Sequence, residues 1–523
     1  MLHQFPFYLA IIILIILLIL LANRIKVAYP ILLVLGGLAA SFIPGIPPIK
    51  IDPELIFIIF LPPLLYEAAW TISWKELWKW RRIVGSFAFV VVFLTAVAVA
   101  LVANHFIPGF SLALGFLLGG IVSPPDAVSA GAIMKFVKVP GRFQAIVEGE
   151  SLFNDAASLI IFRFAMVAVA TGQFVWHEAA LSFVWMVLGG AGIGLLLGYL
   201  FYKTHRLLPT NAEMDIVLTL TAPYFMYIAA ETAHSSGVLA VVSGGLFLAN
   251  RRHLFLSSDS RIKGYSVWGS FSFILNGLVF ILIGLDLPEI TSGLEGVSMG
   301  TAIGYGALIT AVLVVSRILA AYGAVFVTLI ARNFIAVADT RHPGYRAPFL
   351  LGWAGMRGVV SLAAALSIPV QLSDGSAFPQ RNLILFITFV VILLTLVAQG
   401  LTLPWFIRKI GVFRADEALP GDAHYHELHR RLYRESAAYV QETYGQAVAT
   451  QPALQHVVAK WSSGEDAAAS INLNAECKTV MLEMINRQRE WLHEWNKDEA
   501  VAEDHIRKHL YRLDLEEERL KYL

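Results

Sequence analysis

Charged residues and cysteine are scarce in this chain of 523 residues. Only 15% of the residues are charged, 57% are hydrophobic, and the mean hydropathy is +0.67, whereas soluble proteins of this length are far less apolar. The one cysteine, Cys477, excludes an intramolecular disulfide and a cysteine-based metal cluster. No basic cluster interleaved with aromatic residues indicates a nucleic-acid partner. The sequence therefore predicts a polytopic membrane protein.

Motifs of enzymes and channels are missing as well. The sequence contains no HExxH, and the segment GESLF at residues 149–153 lacks the second glycine of GxSxG. A potassium-channel type of filter sequence, TVGYG, is also missing. A membrane-embedded enzyme and a cation channel are therefore weaker hypotheses than a transporter, and no cofactor is implied.

The first apolar segment, Phe5 to Ala22, is predicted to be a membrane helix with its N-terminus outside. No Lys or Arg precedes it, no small-residue cleavage site follows, and Arg24 and Lys26 come directly after it, so it does not resemble a signal peptide. Apolar stretches of spanning length then recur along the chain. We predict thirteen spans: 5–22, 28–43, 53–72, 83–104, 111–134, 145–170, 178–201, 215–233, 236–250, 265–285, 299–330, 349–369 and 382–407.

Loop charges orient this topology, because cytoplasmic loops carry the excess of Lys and Arg. Outside segments hold only Lys50 and Arg381. The inside segments hold twenty-one cations: Arg24, Lys26, Lys75, Lys79, Arg81, Arg82, Lys135, Lys138, Arg142, Lys203, Arg206, Arg251, Arg252, Arg261, Lys263, Arg332, Arg341, Arg346, Arg408, Lys409 and Arg414. We therefore expect a multi-pass protein of the cell membrane with an outside N-terminus and a cytoplasmic C-terminus.

Two of the predicted spans are interrupted. The fifth contains Pro124 and Pro125, which cannot continue a regular helix. The twelfth has three glycines around Arg357, where local unwinding has little steric cost. One interrupted span in each half is typical of transporters built from inverted repeats, although kinks also occur in ordinary membrane helices. The fold class expected is an all-α membrane protein with two interrupted crossing helices.

Hydropathy falls after Arg414, which divides the chain into a membrane domain, 1–413, and a C-terminal region, 414–523. Apolar residues recur at helical spacing in 482–495 and 506–520. The C-terminal region is therefore predicted to be a cytoplasmic helical domain or tail. It could regulate, mediate assembly or be a solvated appendage.

The sixth span carries the most polar stretch, GESLFNDAASLIIF at residues 149–162. Glu150 and Asn154 share one helical stripe, and Ser151 and Asp155 share the next. Asp155 lies ~15 Å from the start of the span, near the bilayer midplane. A carboxylate there costs roughly 3 kcal/mol or more unless it is paired, hydrated or neutralised. Ion or proton transfer is the default interpretation of such a group, and a polar network that only locks helices together is the alternative.

Six segments together resemble the sodium/proton exchangers, the electroneutral, bacterial-type branch of the monovalent cation:proton antiporters. They lie within residues 5–410: FLPPLLYEAA, PPDAV, GESLFND, YIAAETAHSSGVLAVVSGGLFLAN, SRILAAYG and GMRGVVSLA. The resemblance implies a fold of thirteen spans, a homodimer in the lipid bilayer, and exchange of Na⁺ or Li⁺ for H⁺ in pH and sodium homeostasis.

The resemblance also implies roles for single residues. Asp155 matches the group that takes either the cation or a proton, so it and Asp126 are expected to hold the transported Na⁺. Glu67 and Ser151 match groups close to the ion, and Asn154 matches the companion of Asp155. Two further matches concern charge balance: a buried ion pair between Glu150 and Arg317, and a compensating charge on Arg357.

One departure from the family leaves the transported ion open. Many relatives have a threonine before the first aspartate, but here the order is Pro125, Asp126, Ala127. Only the Pro125 carbonyl could ligate from that position. A K⁺/H⁺ antiporter or one of broad alkali-cation selectivity is therefore the alternative. Arg163 in the sixth span has no role in this scheme.

Overall fold

The computed structural model describes residues 5–43, 57–134, 136–137, 139, 141–172, 176–294, 297–331, 344–372, 375–410, 421–464, 475–498 and 501–522. The predicted start of the third span at residue 53 and the predicted boundary at residues 413–414 lie outside these ranges. Six of the loop cations lie outside them too: Lys50, Lys135, Lys138, Arg332, Arg341 and Arg414.

Helices account for most of the described residues, and strand-like pairing there is limited to one bridge between Gln371 and Ala377. The helices that enclose the candidate site or pack around it are α1 (Phe5–Ile25), α2 (Tyr29–Ser41), α3 (Leu61–Thr71), α4 (Trp74–Phe106), α5 (Leu112–Val122), α6 (Ala127–Met134), α7 (Gly141–Thr171), α8 (Trp176–Leu207), α9 (Ala212–Thr232), α10 (Gly237–Phe255), α11 (Ser258–Leu285), α12 (Leu287–Ser292), α13 (Met299–Ala331), α14 (Arg346–Trp353), α15 (Val359–Leu366) and α16 (Arg381–Ile410). The C-terminal helices are α17 (Gly421–Thr443), α18 (Gly445–Thr450), α19 (Pro452–Ser462), α20 (Ala475–Trp495) and α21 (Glu503–Tyr522).

Both predicted interruptions are present. The first lies between the end of α5 at Val122 and the start of α6 at Ala127. The second lies between the end of α14 at Trp353 and the start of α15 at Val359. Proline removes the amide donors in the first break, and glycine tolerates the irregular backbone in the second. The sequence prediction of two broken crossing helices is confirmed.

Several helices are long and apolar enough to cross a bilayer. Among the described residues, seven meet this criterion and three shorter apolar helices lie before α4. The count of thirteen spans stays a prediction. Helix α7 begins at Gly141, four residues before the predicted span, because backbone hydrogen bonds continue the helix through residues too polar for the hydrocarbon region.

One group of helices packs closely around the two breaks. This site bundle comprises α4, α5, α6, α7, α13, α14, α15 and α16. A Cβ at Gly115 or Gly119 of α5 would lie 2.6 Å from the carbonyl of Ala100 or Ala96 of α4. These small residues therefore bring two backbones into contact, as is common between membrane helices.

The remaining membrane helices pack beside the site bundle within the same compact unit. We call them the flanking bundle, which comprises α1, α2, α3, α8, the part of α9 from residue 218, the part of α10 up to residue 252 and the part of α11 from residue 269. Three glycines of α8, at positions 190, 194 and 198, are spaced four residues apart and pack against the segment that begins at Ser236. Gly190 meets the carbonyl of Ser236, and Gly194 meets that of Ala240 in α10. Side chains at these positions would force α8 and α10 apart.

A second compact unit contains residues 208–217, 253–268 and the C-terminal helices. Its hydrophobic core includes Leu432, Trp461 and Met484 from α17, α19 and α20. The described C-terminal residues are thus packed helices with a core of their own.

Charged side chains bind the C-terminal helices to the start of α11 inside this unit. Asp514 of α21 pairs with Arg261 at 2.5 Å and with Arg489 at 2.8 Å. Ser258 donates a hydrogen bond to Glu517 at 2.7 Å. Since these groups are mostly buried, the network fixes α20 and α21 against residues 258–261.

Candidate cation-binding site

The two helix breaks meet at one point. The amide of Asp126 in the first break donates a hydrogen bond of 2.7 Å to the carbonyl of Met356 in the second. A broken helix leaves backbone groups without partners, which are costly in a membrane interior. Each break therefore supplies a partner that the other lacks.

Arg357 offsets the partial negative charge of the carbonyls at the end of α5. Its buried guanidinium donates to the carbonyl of Val122 at 2.7 Å and to that of Ser123 at 3.1 Å. Its amide donates to Thr395 Oγ1 at 3.2 Å, where α16 loosens into a π-helical turn over residues 395–399. The last carbonyls of a helix carry partial negative charge, so a cation there is favourable. The guanidinium of Arg357 thus contacts helix carbonyls, and the charge of Glu150 also acts on it.

Asp126 caps the helix that follows it. Its Oδ1 accepts from the amide of Val128 at 3.0 Å, and its Oδ2 accepts from the hydroxyl of Ser129 at 2.6 Å. These bonds satisfy the free amides of the first turn of α6. The expectation that Asp126 also holds the cation stays a prediction. Sequence reasoning missed this cap and Ser129 with it, although an aspartate directly before a helix start is a capping signal.

Ser151 and Asn154 bind α7 to the first break. Ser151 Oγ accepts from the amide of Ala127 at 3.1 Å, and Asn154 donates from Nδ2 to the carbonyl of Pro125 at 2.9 Å. The Pro125 carbonyl, the one expected ligand from this position, is thus already a hydrogen-bond acceptor. Asn154 Oδ1 is buried and has no hydrogen-bond partner among the described residues. It is a free neutral oxygen beside Asp155.

Asp155 has a different environment. It is 7% exposed, and no described residue donates a hydrogen bond to its carboxylate. The carboxylate of Asp126 acts on it electrostatically and repels its charged form. A buried carboxylate without donors needs a positive charge, which either a proton or a bound cation supplies.

Glu67 lies on α3. Tyr29, at the start of α2, interacts electrostatically with the carboxylates of Asp126 and Glu67. Sequence reasoning missed Tyr29, because a tyrosine at the end of a membrane helix is typical of the lipid interface. The flanking bundle therefore contributes Glu67 and Tyr29 to the surroundings of the site.

Glu150 and Arg317 join α7 to α13. Arg317 Nη2 lies 2.8 Å from Glu150 Oε1, and both side chains are at most 2% exposed. Arg317 Nε and Nη1 have no hydrogen-bond partner among the described residues. The pair is thus isolated from water, and each charge depends on the other.

The arrangement offers oxygen atoms to a cation and one titratable group to a proton. Hard monovalent and divalent cations prefer oxygen ligands, and Asp155, Asn154 Oδ1 and Ser151 Oγ lie on adjacent turns of α7. Among the described residues, no group of three His, Cys, Asp or Glu side chains could hold a resident metal ion. The oxygens of Asp155, Asn154 and Ser151 are thus the cation ligands that this part of α7 can offer.

Comparison with known proteins identifies similar sequences. The family described as "Sodium/hydrogen exchanger, transmembrane" matches residues 10–409. A "Sodium, potassium, lithium and rubidium/H(+) antiporter" of Bacillus pumilus is 35% identical over 387 residues, which are 72% of this chain and 57% of the relative. The antiporter of that name in Bacillus subtilis is 36% identical, with 56% of its length covered. The chain thus spans little more than half of these two relatives.

Two further similarities extend over more of the matched protein. An uncharacterized Na⁺/H⁺ exchanger of Mycobacterium tuberculosis is 31% identical over 519 residues, which are 96% of this chain and 93% of that relative. The solved structure of the sodium proton antiporter MjNhaP1 from Methanocaldococcus jannaschii superposes with a TM-score of 0.61 at 17% identity, and it covers 78% of this chain and 98% of the other. At that identity the second similarity concerns the fold alone.

These findings confirm the resemblance carried by the six sequence segments. The match at residues 10–409 covers more than half of the chain and includes both helix breaks and α7. The chain is a multi-pass membrane protein that belongs to the sodium/hydrogen exchanger family of transporters.

Proposed function

We propose that this protein exchanges Na⁺, and also Li⁺, for H⁺ across the cell membrane, one ion for one proton. Asp155 takes the cation and the proton in turn, and Asn154 and Ser151 supply neutral oxygens. Asp126 and Glu67 contribute negative charge close by, Arg357 offsets the end of α5, and the Glu150–Arg317 pair holds α7 against α13. On this proposal the protein is a transporter without a chemical reaction to catalyse.

One observation carries the proposal. Asp155 is a buried carboxylate without a hydrogen-bond donor among the described residues, whereas Asp126 accepts hydrogen bonds from its own helix. A group whose charge is compensated neither by a donor nor by a counter-ion gains most from binding a proton or a cation. Asp155 is therefore the group on which the two ions compete.

Counter-transport in sealed proteoliposomes tests the function. An outward Na⁺ gradient should drive proton uptake, and a proton gradient should drive Na⁺ uptake against its own gradient. A channel would only dissipate each gradient, so failure of one gradient to drive the other would refute the proposal. Repeating the assay with Li⁺ and K⁺ determines the ion.

A broader cation range is the second candidate. The Bacillus relatives are named for sodium, potassium, lithium and rubidium. The hydroxyl of Ser151 and the carbonyl of Pro125 already accept hydrogen bonds, which leaves fewer free oxygens to form a tight cage for a small ion. Exchange with K⁺ at a rate similar to that with Na⁺ would favour this candidate.

Orientation and assembly form part of the same proposal. The excess of Lys and Arg in alternate loops supports an outside N-terminus and a cytoplasmic C-terminus in the cell membrane. We further propose a homodimer and a cytoplasmic domain from residue 414 to 523. Protease or thiol-reagent access from each side of oriented vesicles tests the topology, and cross-linking in the bilayer tests the dimer.

A further inference from the structure

Arg163 is a cation of α7 that the exchange site does not use. It follows Asp155 by eight residues, which places it ~12 Å further along the helix. Its Nη2 pairs with Oε2 of Glu231 in the last turn of α9, and the two side chains are 42% and 28% exposed. The carboxylate of Glu231 thus binds an arginine that lies 68 positions away in the chain.

Glu231 is held in place by the turn that follows it. Its Oε1 accepts a hydrogen bond of 3.1 Å from the amide of Gly237, the first residue of α10. A Cβ at Gly237 would lie 2.6 Å from the ring of Tyr227 and 3.0 Å from Glu231 Oε1. The carboxylate is thus fixed on the turn between α9 and α10, where helix-start amides favour negative charge. Arg163 is the longer and more exposed partner.

The ion pair crosses from the site bundle to the flanking bundle. Arg163 belongs to α7, which buried contacts bind to the other site helices: Glu150 with Arg317, and Asn154 with Pro125. Glu231 belongs to a hairpin that is bound to flanking helices instead. Within that bundle Ser243 donates to the carbonyl of Ala191 at 3.2 Å, and Tyr224 donates to that of Ile59 at 3.2 Å.

The position of the pair along α7 determines toward which side of the membrane it lies. Arg163 and Glu231 lie toward the end of α7 at Thr171, which is outside in the proposed orientation. Transporters with broken helices expose their site to one side at a time by moving one bundle against the other. An ion pair between the two bundles can be intact in only some of the resulting conformations, as with salt bridges at other moving interfaces.

We propose that the Arg163–Glu231 pair is a latch that closes the path between Asp155 and the side of the membrane at which α7 ends. It sets the balance between the two access states of the exchanger without touching the ion. This inference rests on the proposed exchange, since it assumes that Asp155 faces the two sides in turn. Loss of the pair should favour the state that is open toward the end of α7.

Accessibility of a single thiol tests the latch. In a Cys477→Ser background, Leu159→Cys places a reporter one turn beyond Asp155 on α7. A membrane-impermeant thiol reagent is then applied from each side of oriented vesicles. Arg163→Gln or Glu231→Gln should raise the labelling rate from the side at which α7 ends by roughly two- to fivefold, as expected from a partly exposed ion pair. Arg163→Glu combined with Glu231→Arg should return it toward the original rate.

A matched control lies on the same turn. His234 has a left-handed backbone, φ 53°, which asparagine also adopts readily, and His234→Asn leaves the pair intact, so it should not change the labelling. Unchanged labelling in both neutralised variants would overturn the latch, and so would a charge exchange that fails to restore it. The variants could instead lose thermal stability and lose exchange equally in both directions, with no change in the labelling rate from either side. That result would show that the pair is a structural contact only. Labelling needs no transport, so it tests the latch even if the exchange assay fails.

Discussion

Asp155 and Asp126 are carboxylates of the same chemistry with different partners. Asp126 accepts hydrogen bonds from the amides of Val128 and Ser129 and from the Ser129 hydroxyl, whereas Asp155 has no donor among the described residues. Hydrogen bonds to a carboxylate stabilise its charged form. The two carboxylates therefore differ in how far the protein itself already satisfies them, which is the basis on which we assign the exchangeable proton to Asp155.

Asp155→Asn should abolish exchange while the protein remains folded and inserted. An amide has nearly the volume of a carboxylate but cannot carry the exchangeable proton. Na⁺-dependent relaxation of a pH gradient in proteoliposomes is the measurement. Glu213→Gln, which neutralises an exposed carboxylate at the start of α9, is the control and should retain exchange. A near wild-type rate in Asp155→Asn would refute the assignment.

Neutralising one member of the Glu150–Arg317 pair should destabilise the protein. The remaining charge would be buried without a partner, at a cost of roughly 3–5 kcal/mol. Thermal unfolding in detergent of Glu150→Gln, Arg317→Met and the double variant forms the test. The double variant should recover part of the loss, because the interaction energy appears only when both partners are present.

The same cycle on an exposed pair gives the comparison. Arg487 and Glu490 lie 2.6 Å apart on the surface of α20, and exposed pairs contribute little to stability. Their cycle should show no measurable coupling. Additive losses at Glu150 and Arg317 as well would mean that those two side chains do not interact.

At the scale of elements, the crossing of the two breaks depends on close backbone approach. Gly358 starts α15, and a Cβ there would overlap the carboxylate of Asp126. Asp126 in turn caps α6. The two interrupted helices therefore approach each other so closely at Gly358 that any side chain there would displace the Asp126 carboxylate.

Gly358→Ala should reduce exchange at least about tenfold and lower stability by about 1–3 kcal/mol, the usual effect of overpacking. Initial exchange rates and thermal unfolding measure the two effects. Gly304→Ala is the matched control, since a Cβ at Gly304 of α13 has no neighbour within 4 Å. Alanine favours helix over glycine, so the control should be unchanged or slightly more stable. Similar behaviour of the two variants would contradict the crossing geometry.

The contact between α17 and α21 is expected to weaken in acid. The rings of His429 and His509 are stacked 5.5 Å apart beside Tyr425. Burial is the main cause that lowers the pKa of each histidine to about 4, and Arg512, His426 and His505 add to it. The unfolded histidines bind protons near pH 6.5, so the folded form loses stability as pH falls from about 6.5 toward 4.

Hydrogen exchange of α17 and α21 in the full-length protein measures this effect. Protection of these two helices should decrease between pH 6.5 and 4 after correction for the intrinsic exchange rate. His509→Phe keeps a ring in the stack but removes one titrating group, so its protection should depend less on pH. An equal pH dependence in the variant would contradict the assignment to His509.

At the scale of the whole molecule, the charge moved in each cycle follows from the number of groups that titrate. If Asp155 alone exchanges a proton for a monovalent cation, the occupied site has the same net charge in both forms. Each net charge would feel ~2.3 kcal/mol per 100 mV across the membrane. Exchange should therefore do no electrical work.

Exchange rates in proteoliposomes should accordingly be independent of an imposed potential of either sign. The potential is set with K⁺ and valinomycin, in conditions where the protein's own transport of K⁺ has been measured. Asp155→Asn vesicles provide the background. A dependence on voltage of severalfold would mean that a second proton moves, on Asp126 or Glu67, and that the single-proton mechanism is wrong.

The sequence by itself determined the membrane class, the two helix breaks and the polar residues of the sixth span. Hydropathy, helical spacing and proline act locally along the chain, so they can be read without knowing what lies nearby in space. The family followed from six segments for the same reason. The helix ends were less predictable, because the backbone hydrogen bonds of α7 continue to Gly141 beyond the apolar stretch.

Only the tertiary structure decided which polar groups meet. Arg357 binds the carbonyl of Val122, 235 positions away, and Arg163 binds Glu231, 68 positions away. Asp126 caps α6, which the sequence analysis did not predict. A buried charge requires a partner, but its chemistry does not specify which one, since any suitably placed carbonyl or carboxylate satisfies it. The packing of the helices makes that choice.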